Sequence, residues 1–453
     1  MRWLLVLVAG CGFRIGVGAQ DGAIADDVGG DDDGAIVIDT PLPDCDAPPH
    51  WAASFTPTRT LHVDPLAVAG GTPPDGSATN PFMTISAAAA AATPGTRILL
   101  APRSYGTVTL TDLHGSATAP IWIEGPVTAP RATFTGTNAI HLVRPQYVVL
   151  QHLDFTSLSG DAINADDGGQ SMFGAAHHLA MVDIKSTSVN TTFQLTGVTD
   201  VAIYDSTLVS GSRGVQLVGV HRAVVARLAM TSLSYSSFQA AGGSRDIVLR
   251  QSRITTDGNR AVWIGGSSTE NEFRPLLAAA DNYEARDVRI FNNFIDGDVA
   301  AITCSSCTDA LIANNRITGT LSYVVRVINE HMSALNGHAF PMPGTLRVIG
   351  NAIEVTTNPY GTRMESNTTC AACEYSHNLW LEIDNPIDST PPLPVTETNS
   401  IYGVASGYDA LGRLCTGGAA IGAGPTLPEV TGTFAGACRA TPRSIGPSDA
   451  GGC

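Results

Sequence analysis

Between Tyr147 and Trp380 the chain restates one phrase of about 22 residues, and that repetition limits the fold more than any other property of the sequence. HLAMVDIKSTSV begins at His178, DVAIYDSTLVSG at Asp200, RAVVARLAMTSL at Arg222, DIVLRQSRITTD at Asp246, DVRIFNNFIDGD at Asp287 and DALIANNRITGT at Asp309. The steps are 22, 22, 24, 41 and 22 residues, so the fourth carries a long insertion. A unit this short cannot bury a core alone and must stack on copies of itself. Within one copy, Val201 and Ile203 alternate with Ala202 and Tyr204, the period of 2 that sends neighbouring side chains to opposite faces of a strand. No apolar stripe of period 3.6 persists, and the regular leucines of a leucine-rich repeat are missing. Three short strands and three turns fill such a unit, which makes it one rung of a parallel β-helix.

A second column sets the register. Ser206, Ser252, Asn293, Asn315, Asn351 and Asn378 occupy the corner after the first strand, one per rung. Asn tolerates a left-handed turn, and its amide can bond the rungs above and below, so this ladder reads as structural. The repeats resemble those of right-handed parallel β-helix proteins of the pectin-lyase-like superfamily, over roughly residues 60 to 380. The segment DGSATNPFMTISAAAAAATPGTRILLAPRSYG, Asp75 to Gly106, is similar to the opening such proteins often carry. GGSSTENEFRP (Gly265 to Pro275) followed by YEAR (Tyr283 to Arg286) resembles an uncharacterised group of secreted bacterial β-helix lipoproteins. The resemblance implies an all-β solenoid with an N-terminal capping helix. It does not imply a reaction, because the superfamily holds lyases, hydrolases and non-enzymatic adhesins.

A formal net charge of −16 argues against nucleic acid or an anionic membrane surface as partner. The amino end reads as an address: Met1-Arg2 supplies positive charge, Trp3 to Val8 a brief apolar run too short to span, and Val8-Ala9-Gly10-Cys11 resembles a lipobox. Residues 1–11 are therefore expected to be a lipoprotein signal with Cys11 lipidated, anchoring the protein at the outer membrane or cell surface. Cleavage after Ala19, releasing it freely, is the alternative. Residues 12–50, rich in Gly, Ala and Asp, read as an acidic disordered tether, 51–384 as the β-helix, and 385–453 as a Pro/Gly-rich tail. A first strand is expected within Trp51 to Asp64, and a cap helix over 82–92 between Asn80-Pro81 and Pro94-Gly95.

With Cys11 set aside, eight cysteines remain, an even number in an exported chain. Cys304–Cys307 and Cys370–Cys373 are CxxC pairs that invite a zinc reading, but a further rung (Thr345 to Val355) lies between them. Two rungs are about 10 Å, too far for one tetrahedral ion, so local disulfides are expected. Cys415–Cys438 is expected to close the tail, with Cys45 and Cys453 left as a further candidate pair.

One outward column carries groups suited to a glycan. In TTFQLTG, GVQLVG, SFQAAGG and AVWIGG, residues Gln194, Gln216, Gln239 and Trp263 recur at 22, 23 and 24 residues, and Arg326 in VVRVIN holds the same place further on. Gln pairs with hydroxyls, an indole offers a flat face to a sugar ring, and Arg reads a carboxylate. The strip is expected to bind an extended acidic polysaccharide, with the protein a monomer. A self-satisfied Gln ladder, with Trp263 under the inserted loop, is the structural alternative.

The insertion Gly265 to Arg286 leaves beside Trp263, and Asn329-Glu330-His331 opens another loop on that side. Glu284 or Glu330 as base, His331 as acid and Arg274 as a clamp on a uronate would make a degrading enzyme, lyase before glycoside hydrolase. In the competing reading Arg274 and Glu284 pair with each other and pin the loop. Asp161, Asp166 and Asp167 are the calcium candidates, although their spacing matches no loop motif, and no cofactor is otherwise expected. A structural role in the envelope is the remaining alternative.

Overall fold

The computed structural model describes residues 45, 50–68, 73–258, 260–278, 282–331, 335–356, 360–366, 368–370 and 372–449. The lipobox, Cys11, most of the tether and Cys453 lie outside them. The first strand of each rung joins a twelve-stranded sheet running from Arg59–Val63 to Cys373–Ser376. The repeat copies stack in register: Leu179 on Val201, Ala223, Ile247, Val288 and Ala310, each pairing parallel. The remaining strands close the coil into a continuous parallel wall. Inward residues of that wall form one axial core, with Phe193, Val215, Phe238, Val262, Ile302 and Val325 stacked one per rung and buried.

Polar residues hold the corners. The residue that opens each copy sits in the left-handed region: Asp200, Asp246, Asp287 and Asp309 have φ between 51° and 59°. A second left-handed column, Asp205, Gln251, Asn292 and Asn314, lies one residue ahead of the ladder. The ladder residues themselves therefore do not make the turn; they follow it and point inward. Asn293 N–H donates to Asn315 Oδ1 at 3.0 Å, Asn315 N–H to Asn351 Oδ1 at 3.0 Å, and Asn351 N–H to Asn378 Oδ1 at 2.9 Å. Each Asn also donates its Nδ2 to a buried backbone carbonyl, satisfying donors and acceptors at full burial. Glu397 ends the column, accepting from Asn378 Nδ2 and Trp380 Nε1.

The cap helix is shorter than the expected 82–92. It spans Ile85–Ala90, with Thr84 Oγ1 accepting from Ala87 N–H at 3.2 Å. Phe82 is drawn off as an edge partner instead: its N–H donates to His62 O and its carbonyl accepts from Asp64 N–H, both at 2.9 Å. That pairing covers an open strand edge, which a helix starting at Phe82 would leave bare. Among the described residues no helix is long and apolar enough to cross a membrane.

The outer face of the twelve-stranded sheet is apolar and covered. Trp51, Ala52 and Phe55 pack on Trp122, Val149, Ala180, Ala202 and Tyr204, while Leu427 and Val430 of the tail pack on Phe291, Leu311 and Ile349. The first strand is accordingly confined to Arg59–Val63, because residues 51–54 turn outward to cover the sheet. Cys304–Cys307 and Cys370–Cys373 are both closed as disulfides, leaving no thiolate for zinc. The expected Cys415–Cys438 and Cys45–Cys453 pairs are replaced by Cys45–Cys438. The reason is spatial: amino-terminal strap and carboxy-terminal tail meet on the same sheet face. Cys415 is disulfide-bonded as well.

Candidate ligand-binding wall

Parallel pairing with alternation of side chains turns the outward strip into a column. His141, Asn164, Gln194, Gln216, Gln239, Trp263, Thr303, Arg326 and Arg363 occupy successive rungs in register. Gln194, Gln216 and Arg326 are half-buried on its surface. Gln239 and Trp263 are only 6% and 4% exposed, so the indole does not present a bare face to a sugar. The inserted loop does not account for this alone. Arg260 lies with its guanidinium 4.0 Å above the indole centroid, Tyr235 stands 5.9 Å away, and Trp263 Nε1 donates to Ser305 Oγ at 2.8 Å. The corner ahead of the strand folds the residue three positions earlier back over the strip.

That corner brings in residues the strip alone did not indicate. Arg213 sits 4.3 Å over the Tyr235 ring, and Arg363 sits 5.2 Å over Tyr360, which lies 6.2 Å from Tyr323. The signal is in the sequence at a spacing of three: Arg213 before Gln216, Arg260 before Trp263, Tyr323 before Arg326, Tyr360 before Arg363. Elsewhere some arginines are paired between rungs, as Arg222 with Asp200 and Arg227 with Asp205, whereas Arg253 lies over the Phe294 and Phe434 rings with no ion pair among the described residues. On this wall Arg326 pairs with Glu365 at 2.8 Å, but Arg213, Arg260 and Arg363 form no ion pair with any carboxylate among the described residues. Three guanidinium planes are thus oriented by aromatic faces while their charge stays uncompensated.

The loop candidates fall elsewhere. Glu284 is fully buried and accepts from Gly242 N–H, Ser268 N–H and Ser268 Oγ at 2.6–2.8 Å, with His331 Nε2 2.6 Å from its Oε1. His331 is shielded by Phe340, 4.2 Å between ring centroids. The supposed Arg274–Glu284 pair does not form. Arg274 instead grips Asp167, Nε to Oδ2 at 2.6 Å, both side chains at most 5% exposed. Glycine makes that approach feasible: a Cβ on Gly219 would fall 2.5 Å from Arg274 Cβ, and one on Gly242 2.8 Å from Glu272 O. The motif GGSSTENEFRP is therefore a plug seated on a glycine corner, anchored by its own Arg274 and by Glu284 of the YEAR segment. Glu330 is half-buried, its N–H donating to Ser306 Oγ at 3.2 Å.

The calcium candidates part to three partners. Asp161 accepts from Asn164 Nδ2 at 3.1 Å, Asp166 faces His141 Nε2 at 2.6 Å, and Asp167 holds Arg274. Among the described residues no three His, Cys, Asp or Glu side chains gather as metal ligands.

Beneath the plug, His221 Nε2 donates to Arg274 O at 3.1 Å, with Phe173 edge-on at 4.8 Å. Burial, reinforced by the charge of Arg245 and Arg222, pushes its pKa down from 6.5 to about 4. The native state then resists protonation that the unfolded chain accepts. Stability from this group is complete above pH 6.5, falls as the pH drops towards 4, and amounts to about 3 kcal/mol. His50, His152, His177 and His178 are lowered by burial too, so total acid loss is larger. We expect His221→Gln to show a smaller drop in thermal midpoint between pH 7 and pH 4.5 than the parent; identical drops would remove His221 as a contributor.

No family model matches this sequence, and no curated protein matches it. Solved structures do. The A-module of mannuronan C-5 epimerase AlgE6 from Azotobacter vinelandii superposes with a TM-score of 0.50 at 14% identity, covering 70% of this chain and 92% of that one. The fold is a right-handed parallel β-helix. Pectate lyase Pel9A aligns over 88% of this chain and 98% of its own at 14% identity and TM-score 0.48, and a rhamnogalacturonan lyase over 76% and 87% at 12% and 0.43. At such identities the similarity concerns architecture alone.

Proposed function

We propose that the protein binds an extended acidic polysaccharide along the wall from Gln194 to Arg363. The observation that carries this reading is the set of uncompensated, ring-stacked guanidiniums of Arg213, Arg260 and Arg363 on a chain of net charge −16. Half-buried Gln194 and Gln216 supply amides for hydroxyls beside them. The AlgE6 module, by its name, acts on a polyuronate, a ligand of this class. Buried, closed disulfides fit an exported protein, and anchoring through Cys11 is part of the same proposal.

The role of Trp263 changes with its burial. It is a platform for Arg260 rather than a sugar-stacking face, so the arginines are the informative substitutions. Each of Arg213→Ala, Arg260→Ala and Arg363→Ala is expected to weaken retention on an immobilised polyuronate about tenfold, with the salt dependence of binding becoming shallower. Unchanged retention of the triple variant, with an unaltered circular dichroism spectrum, would count against the reading. A degrading activity has one observation in its favour: His141, oriented by Asp166 and half-exposed, stands in the same column three rungs before Gln216. The same polyuronates, monitored in the ultraviolet for an unsaturated product, separate the two; a flat trace leaves binding alone.

A further inference from the structure

We infer that residues 50–57 form an acid-released strap, closed over the outer sheet face at neutral pH and lifted from it in mild acid while the solenoid stays folded. The means of attachment make this segment separable. Among the described residues no hydrogen bond joins 50–57 to the sheet; Ala53 N–H to His50 O at 2.9 Å and Phe55 N–H to Ala52 O at 3.1 Å close turns within the strap. Bonding to the body starts at Thr58, whose N–H donates to Gly95 O at 2.9 Å. His50 Nδ1 and Trp51 Nε1 are enclosed without a hydrogen-bond partner among the described residues. The strap is also undercut, with a cleft of about 330 Å³ between its Phe55 and Pro57 and the sheet's Arg97, Glu124 and Gln151. Contact therefore rests on apolar and ring packing, and a segment without backbone bonds to its support opens more readily than the coil beneath it.

Histidines stand at the contacts that remain. Trp51 packs edge-on against His178 at 5.6 Å and against Tyr147 at 5.9 Å, and Tyr147 stacks on His178 at 4.4 Å. His177 Nδ1 lies 3.1 Å from His178 Nδ1, a bond that requires one of the two nitrogens to carry no proton. On the strap itself His50 faces the Tyr204 ring at 6.2 Å. The charged and titratable groups around His178 are Asp200, His177 and Arg222; around His177 they are Asp200, His178, His114 and Arg222; around His50, Asp205 and Arg227. Both aspartates are already engaged, Asp200 by Arg222 at 2.7 Å and Asp205 by Arg227 at 2.6 Å. Burial outweighs them and holds all three imidazoles below 6.5. Opening returns His50 and His178 to water and towards 6.5, so it takes up protons. The closed strap is thus favoured above pH 6.5 and loses ground as the pH falls, by up to about tenfold per pH unit for each histidine that titrates. Opening uncovers Trp122, Val149, Ala180 and Ala202, while the Cys45–Cys438 bond and the strand Arg59–Val63 keep both ends of the strap in place for reclosure.

Acrylamide quenching of tryptophan fluorescence on the full chain tests this, with circular dichroism recorded at each pH. Trp51 and Trp122 lie on the two sides of the strap contact, whereas Trp263 and Trp380 are buried elsewhere. The quenching constant is expected to rise about twofold between about pH 7 and pH 5 with an unchanged dichroism spectrum. In the double variant His50→Gln with His178→Asn this dependence on pH should be lost; Asn is chosen because residue 178 has a φ of 54°. His221→Gln, beneath the plug, should leave it in place. A rise that comes only with loss of the dichroism signal is global unfolding and overturns the strap. A rise of the same size and midpoint in the double variant overturns it as well.

Discussion

Arg274→Ala is expected to destabilise the protein by about 3–5 kcal/mol, the cost of breaking a buried ion pair on one side. Asp167 would be left enclosed without its guanidinium partner, with Gly169 N–H at 2.9 Å still donating to it. The substitution also removes the bonds Arg274 makes to Asn271 O and Phe273 O, which shape the plug. The double change Asp167→Ala with Arg274→Ala should cost less than the two single losses added together, because the pair leaves no orphan charge. Urea unfolding of the four proteins gives the coupling. A single-site loss below about 1 kcal/mol would show the pair to be hydrated and loose, contrary to its burial.

Asn315→Ala is the second large effect, and its neighbour supplies the control. Asn315 Oδ1 accepts from the backbone and side-chain nitrogens of Asn293, and its Nδ2 donates to Ile290 O and Asn351 Oδ1. Asn293 Nδ2 keeps Leu249 O and Phe291 O, and Asn351 Oδ1 keeps the backbone N–H of residue 315, but Asn293 N–H and Ile290 O lose these side-chain bonds in the interior at about 1–3 kcal/mol each, so about 4 kcal/mol overall is expected. Asn314, one residue earlier, is equally buried, yet neither polar atom of its side chain has a hydrogen-bond partner among the described residues, and its φ is 51°. Asn314→Gly keeps the left-handed corner and should change stability by less than about 1 kcal/mol. Thermal or urea unfolding of the two variants should differ several-fold in ΔΔG. Comparable losses would mean that the corner, rather than the ladder, holds the rungs.

What could be read from the sequence followed what is periodic. The strand stack, the Asn ladder and the outward column all recur at the rung length, so spacing alone put Gln216, Gln239 and Trp263 in one line. Departures arose where the chain leaves the period. Arg274 finds Asp167 across 107 residues, a pairing set by the path of an aperiodic loop over glycine corners. Trp263 is covered by Arg260 because a corner bends back on the strand it precedes, which alternation within strands does not reveal. Cys45 meets Cys438 because strap and tail share a sheet face, and neither segment repeats. The arginine set was legible in part: Arg326 lay in the column, whereas Arg213 and Arg260 needed the corner geometry to be placed beside it.

The link from Cys45 to Cys438 spans 393 residues of chain and so encloses nearly the whole solenoid in a covalent ring. A tensile load entering ahead of Cys45 and leaving beyond Cys438 would cross one sulfur–sulfur bond and bypass every coil. Linear arrays of this kind otherwise peel from their ends, each coil exposing the next. Here the mechanical path is a short circuit, and the wall carrying the arginines stays slack while the ends are pulled.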